Sequence, residues 1–224
     1  MIIAEQKAFQ AIMQTIEPYH RVLILGCGTC VTVCMAGGEK EVGILAEQIR
    51  LHQRELPESE RHEIVEATIE RQCDIEFFEG VKDLIESADC VLSMACGVGV
   101  QHASQHFDSK VVMPGLDTKF FGATEEAGVW AERCAGCGTC ILDATAGICP
   151  IARCSKSLLN GPCGGSQNGE CEISEDVECA WQLIYDRLKS SGRLESLEQM
   201  VEIKDWSSAR DGGPRKVVRE DSRS

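Results

Sequence analysis

The chain has 224 residues, a formal net charge of −14 from 22 Lys and Arg against 36 Asp and Glu, and 14 cysteines. So acidic a balance argues against a nucleic-acid partner, whose phosphates demand clustered Lys and Arg, and suits a chain that meets proteins or small molecules. No apolar stretch approaches the roughly 18 to 20 residues of a membrane span, and Met1-Ile2-Ile3-Ala4-Glu5-Gln6-Lys7 turns polar too soon for a secretory signal, so reduced thiols in a cytoplasmic protein are expected rather than a disulfide scaffold.

In chain order, the periodicity predicts an opening helix over residues 5–16, ended before Pro18, and a buried strand over 21–26. An amphipathic helix follows over 39–54, with Val42, Leu45, Ala46 and Ile49 on one face. A second strand is expected at 63–69, a helical turn at 81–87, a third strand at 90–95, a helix at 98–107 and a fourth strand at 110–113, stopped by Pro114-Gly115. This alternation predicts an α/β fold: a small Rossmann-like parallel sheet with helices on both faces, over residues 1–125. From 126 to 204 periodicity gives way to Cys, Gly and Pro, so metal–ligand bonds are expected to supply much of the folding energy of this second, Cys-rich domain. Ser174 is placed to cap a C-terminal helix over 175–189, with Gly192 after its end. Residues 205–224 read as a polar tail, loose or used as a docking arm.

Most of the cysteines fall in tight clusters. Cys27-x2-Cys30-x3-Cys34 stands directly behind the first strand, and Cys96 directly behind the third. Loops at the carboxyl ends of parallel strands share one crevice, so Cys96 becomes a fourth ligand by topology rather than by proximity in sequence. Gly26, Gly28 and Gly97 let backbone N–H groups approach the sulfurs. Cys73, just beyond the second strand, competes with Cys96 for the fourth position, whereas Cys90, at the opposite end of the third strand, reads as an inert buried thiol. Gly26-x-Gly28 also resembles the start of a dinucleotide fingerprint, but Val31 occupies the third small position and the thiols fill the space a pyrophosphate needs.

Cys134-x2-Cys137-x2-Cys140 matches the core of a ferredoxin run, in which the fourth cysteine comes three residues later and precedes proline. Here Cys149-Pro150 comes nine residues later. Cys154, Cys163, Cys171 and Cys179 form a looser quartet for zinc or a further cluster. Triple Cys spacing favours a cubane over a zinc knuckle for both tight runs. No other catalytic constellation stands out. His102 and His106, four apart on a predicted helix, read as a solvated face, Asp117, Glu125 and Glu126 as surface acids, and Trp130 and Trp181 as packing.

Three strings give these runs a further meaning: Gly26-Cys27-Gly28-Thr29-Cys30-Val31-Thr32-Val33-Cys34-Met35-Ala36-Gly37-Gly38, Arg133-Cys134-Ala135-Gly136-Cys137-Gly138-Thr139-Cys140, and Cys154-Ser155-Lys156-Ser157-Leu158-Leu159-Asn160-Gly161-Pro162-Cys163-Gly164-Gly165. Over roughly residues 20–190 the chain resembles the methylenetetrahydrofolate reductase C-terminal domain family, the small MetV-type subunit. The resemblance implies a non-catalytic iron–sulfur subunit partnering a MetF-type flavoprotein, which reduces methylenetetrahydrofolate to methyltetrahydrofolate in one-carbon metabolism of the reductive acetyl-CoA type. It further implies two [4Fe–4S] clusters, one on Cys27, Cys30, Cys34 and Cys96, the other on Cys134, Cys137 and Cys140 with Cys149 as fourth ligand. The alternatives are a zinc-stabilised scaffold that docks the reductase without redox activity, and a zinc–thiolate enzyme activating a thiol for methyl transfer.

Overall fold

The run Arg-Val-Leu-Ile-Leu-Gly-Cys forms β2 (Arg21–Cys27), buried at every residue from Val22 to Cys27. In the computed structural model, which describes residues 1–223, β2 pairs in parallel with β3 (Glu63–Ile69) on one side and with β4 (Cys90–Met94) on the other. Strand β5 (Val111–Pro114) extends the sheet beyond β4, giving the order β3–β2–β4–β5. Burial on both sides explains the unbroken apolar runs: parallel strands are covered above and below. Val22 and Ile24 enter one core with α1 (Phe9–Ile16) and α3 (Glu39–His52). Leu23 and Leu25 enter the other with α4 (Lys82–Ser87) and α5 (Gly97–His106). Each such fully buried aliphatic side chain contributes about 1.5–3 kcal/mol. The architecture is the expected α/β one. Because the first and third parallel strands are neighbours, their connections diverge, and a crevice opens at the carboxyl ends of β2 and β4.

Three elements differ from expectation. Residues 2–6 form a strand, β1 (Ile2–Gln6), and the first helix begins only at Phe9. The β-branched Ile2-Ile3 pair favours extension, Ile3 and Ala4 are buried in the core, and the Lys7 N–H donates to the Gly115 carbonyl at 3.0 Å. After β5 the chain makes two further strands, β6 (Leu116–Glu126) and β7 (Val129–Cys134), in a sheet ordered β1–β6–β7. Gly128, at φ 84°, supplies the left-handed residue that their turn needs. Finally, Ser174 opens a strand and not a helix. Strand β9 (Ser174–Glu178) pairs antiparallel with β8 (Glu170–Cys171), and the C-terminal helix α7 (Ala180–Ser190) starts after Cys179. The Cys179 N–H donates to the Gly169 carbonyl at 2.7 Å, which closes the hairpin before helix can begin.

The chain divides into two units, Met1–Phe120 with Thr124–Trp130, and Phe121–Ala123 with Ala131–Ser224. In the second unit α7 buries Ala180, Trp181, Ile184 and Leu188 against Ile148, and the Trp181 Nε1–H donates to the Leu158 carbonyl at 2.9 Å. No helix among the described residues is long and apolar enough to cross a membrane.

Candidate metal centres

At the end of β2 the Gly28 N–H donates to the Ile69 carbonyl at 2.9 Å, and the Cys27 N–H to the Gly37 carbonyl at 3.0 Å, which folds the Cys27–Cys34 loop back on itself. Between these anchors lies the single turn α2 (Cys30–Val33), tied down by the Thr32 hydroxyl donating to the Cys27 carbonyl at 2.8 Å. The return is tight: a Cβ on Gly37 would stand 1.9 Å from the Met94 carbonyl oxygen. Cys96 precedes α5 as its N-cap residue. Cys27, Cys30, Cys34 and Cys96 therefore all sit in carboxyl-end loops, the first and third buried, the others half-buried. Their sulfurs are not equivalent. The Cys34 Sγ lies 3.6 Å from the Ala4 carbonyl oxygen and 3.7 Å from that of Val31, and burial raises its thiol above the ordinary range. The Cys27 Sγ stands 3.7 Å from the Thr29 hydroxyl and 4.0 Å from the Glu70 carbonyl oxygen.

A further thiol joins this edge. Beyond β3 the wholly buried Gln72 donates its Nε2 to the Leu25 and Gly26 carbonyls at 2.8 and 3.1 Å, and its Oε1 accepts from the Ser93 hydroxyl at 2.6 Å. The next residue is Cys73, whose thiol is raised by partial withdrawal from water, then by the negative charge of Cys27 and of Cys96. Cys90 lies at the far end, in register with Val22, and burial pushes its thiol up to about 12, as befits an inert side chain. Val31, in the small position of a dinucleotide loop, is instead buried in the core. The rings of His102 and His106 both pack on Phe78, at 6.2 and 6.4 Å, and His102 Nδ1 stands 3.2 Å from the Gln72 carbonyl oxygen.

In the second unit Cys134 ends β7, and the Gly136 N–H donates to its sulfur at 3.4 Å. Gly136 and Gly138 adopt φ of 61° and 87°, the left-handed conformation that lets the loop turn tightly between its thiols. The segment from Lys204 to Arg215 lies against this loop: Lys204 donates to the Thr139 carbonyl, the Thr139 N–H to the Ser208 hydroxyl at 3.2 Å, and Arg215 to the Gly136 carbonyl at 2.6 Å. Cys134 and Cys140 are exposed and Cys137 is half-buried. Cys149 precedes the short helix α6 (Pro150–Arg153), where its carbonyl accepts from the Arg153 N–H at 3.0 Å.

The late quartet is gathered most clearly. Cys154, Cys163, Cys171 and Cys179 line one cavity of about 20 Å³, walled by Leu158 and Trp181. The Gly165 N–H donates to the Cys163 sulfur at 3.4 Å, the same two-residue step as at Cys134. Cys171, 3.4 Å from the Ser155 hydroxyl, is held below an ordinary thiol by that hydroxyl first and by backbone N–H groups of Ile173 and Ser174. All fourteen cysteines are free thiols. Free thiols met by amide donors fit a thiolate-bound metal, since the donors stabilise the charged sulfur. Among the described residues, however, no three Cys, His, Asp or Glu side chains stand together as a finished metal-binding set; the thiols share loops and a cavity, not yet a coordination geometry.

Compared with curated proteins and with solved structures, the chain finds no significant match. Residues 113–207, from Met113 in β5 through the second loop and the late quartet to Ser207, match the family described as methylene-tetrahydrofolate reductase C terminal. That matched segment holds eight of the fourteen cysteines, and the similarity to the methylene-tetrahydrofolate reductase C-terminal family is confined to it.

Proposed function

We propose that the chain is the iron–sulfur electron-transfer subunit of a methylenetetrahydrofolate reductase, working beside a flavin-bearing MetF-type subunit that carries the folate chemistry. The observation that supports this reading is that the Cys27–Cys34 loop and Cys96 follow the carboxyl ends of the neighbouring strands β2 and β4, in a chain whose residues 113–207 match the reductase C-terminal family. When bound, [4Fe–4S] clusters exchange single electrons, which a flavin can pair into a two-electron reduction. Cys27, Cys30 and Cys96 anchor the first cluster with a fourth thiol of the same edge. Cys134, Cys137 and Cys140 anchor the second, with Cys149 as fourth donor.

The chain's own residues then set charge and solvent access. Amides such as that of Gly136, together with the Lys204 and Arg215 cations beside the loop, favour the more negative, reduced state. The late quartet is a different kind of site. Four thiols lining one small cavity suit a single ion, so Cys154, Cys163, Cys171 and Cys179 would hold a closed zinc site that stabilises this unit.

Metal and sulfide analysis of the full chain, purified without oxygen, tests the proposal. About eight irons, about eight sulfides and about one zinc are expected, with a brown colour bleached by dithionite. Reduced viologen should then pass electrons through the chain to the partner's flavin. A colourless protein with about two or three zincs and little iron would replace electron transfer by the scaffold reading.

A further inference from the structure

We infer that Cys73 is the fourth thiol of the switch-point site, and that Cys34 is a structural thiol outside it. The inference rests on the proposal that this edge holds a metal cluster. Cys73 follows β3, which is separated from β4 by β2, so strand spacing alone would leave it about 10 Å from the β4 edge. Gln72 closes that distance. Its amide bonds to two β2 carbonyls, Leu25 and Gly26, and to the Ser93 hydroxyl of β4, so the residue spans β2 and reaches the strand that leads into Cys96.

Two other contacts fix the same placement. A Cβ on Gly99 would stand 2.8 Å from the Gln72 Cβ, so this loop lies on the first turn of α5, the helix that Cys96 caps. The Cys27 sulfur lies 4.0 Å from the Glu70 carbonyl oxygen, three residues before Cys73. Cys27 and Cys34 are both buried in the core, but their sulfurs make different contacts: that of Cys34 lies 3.6 Å from the Ala4 carbonyl oxygen of β1, whereas that of Cys27 lies on the Glu70 side. An exposed thiol in a loop that meets both the Cys27 strand end and the first turn after Cys96 can accept a metal from solution, whereas moving Cys34 would break a packed contact.

The test compares Cys73→Ala, Cys73→Ser and Cys34→Ala in the anaerobically purified full chain, by iron and sulfide content and by EPR of the dithionite-reduced protein. Circular dichroism confirms folding; Cys73 is exposed, so its substitution leaves the core intact. Cys73→Ala should lose about half of the iron, one cluster of two, while Cys34→Ala keeps it all. Cys73→Ser should retain iron with an altered EPR signal, because an oxygen ligand changes the cluster's electronics and a merely structural residue would not. Full iron and an unchanged spectrum in Cys73→Ala, or iron loss confined to Cys34→Ala, would overturn the inference. If the wild-type chain holds no iron, the electron-transfer reading fails by itself, and zinc content then judges the ligand: loss of one zinc in Cys73→Ala supports the assignment, an unchanged zinc content refutes it.

Discussion

Replacing Gln72 with methionine asks how much the clamp across the sheet end is worth. Methionine matches the length of glutamine and stays apolar, so the change removes hydrogen bonds with little change in volume. Three bonds go: those from Nε2 to the Leu25 and Gly26 carbonyls, at 2.8 and 3.1 Å, and that from the Ser93 hydroxyl to Oε1, at 2.6 Å. Gln72 and Ser93 are both 0% exposed, so no water takes over. At about 1 kcal/mol per bond, with a further penalty for the Ser93 hydroxyl left buried without its acceptor, the loss is about 3–4 kcal/mol. Urea unfolding followed by circular dichroism should show a midpoint lowered by about 2 M at an unchanged slope. Ser93→Ala in the same chain should recover about 1 kcal/mol, because removing both partners of a buried pair costs less than orphaning one. A loss below about 1 kcal/mol for Gln72→Met, or strict additivity with Ser93→Ala, would refute the clamp.

Gly37→Ala should be among the most damaging single-atom changes, since its Cβ would stand 1.9 Å from the Met94 carbonyl oxygen and 2.9 Å from Leu116 Cδ1. A loss of about 3 kcal/mol, seen as a melting temperature lower by about 10 °C, is expected; a shift within 2 °C of the wild type would contradict the packing. Iodoacetamide at pH 8 should leave Cys90, with its thiol pushed up to about 12 by burial, unlabelled until the parallel sheet unfolds, and early labelling of Cys90 in the folded chain would contradict its burial. The carboxylate of Asp89 accepts from the Arg21 and His20 N–H groups at 2.7 and 3.1 Å and is held below the usual range, chiefly by the Arg21 bond. A depressed carboxylate stabilises above its unfolded pKa and loses that contribution as pH falls through the folded value. Asp89→Asn should therefore be less stable than wild type near neutrality, with the gap closing below about pH 4; a gap independent of pH would exclude the linkage.

The parallel sheet was legible because its strands are buried on both faces. β3 falls at the expected residues 63–69, and β2 extends the expected 21–26 by the one residue Cys27. Where one face meets water, local signals misled. Ser174 followed by Glu175 and Asp176 carries the marks of a helix N-terminus, yet the same exposed polar residues suit the open face of a hairpin, and pairing with Glu170 and Cys171 decided between them. β6 went unread because its burial is confined to a few positions, among them Leu116 and Gly122, with mostly exposed residues between and no strict alternation. The shared crevice of Cys27 and Cys96 could be argued from topology. The approach of Cys73 depends on side-chain amide bonds reaching back 46 and 47 residues, which no spacing rule records.

The two units differ in what holds them together, and this bears on how the proposed metals would act. The core of the first unit includes Val22, Ile24, Leu45, Ile49, Leu92 and Met94, all at or below 2% exposure, and its loops are seated by backbone bonds at the ends of a covered sheet. A cluster bound there joins a scaffold that folding has already built. The second unit has a core of only Ile148, Ala180, Trp181, Ile184 and Leu188, and its hairpin β8–β9 spans two and five residues. Burial on that scale offsets little of the chain entropy of the loops between Cys140 and Cys179, at about 1–2 kcal/mol per ordered residue. Cys154 and Cys179 pack on that small core, while Cys163 and Cys171 come from the loop and hairpin beyond it, so one ion in the cavity ties the least supported backbone to the best supported. Removal of the proposed metal should therefore unfold the second unit while leaving the parallel sheet standing, and chelator-treated protein should lose amide-exchange protection over the late quartet but keep it over β2 and β4.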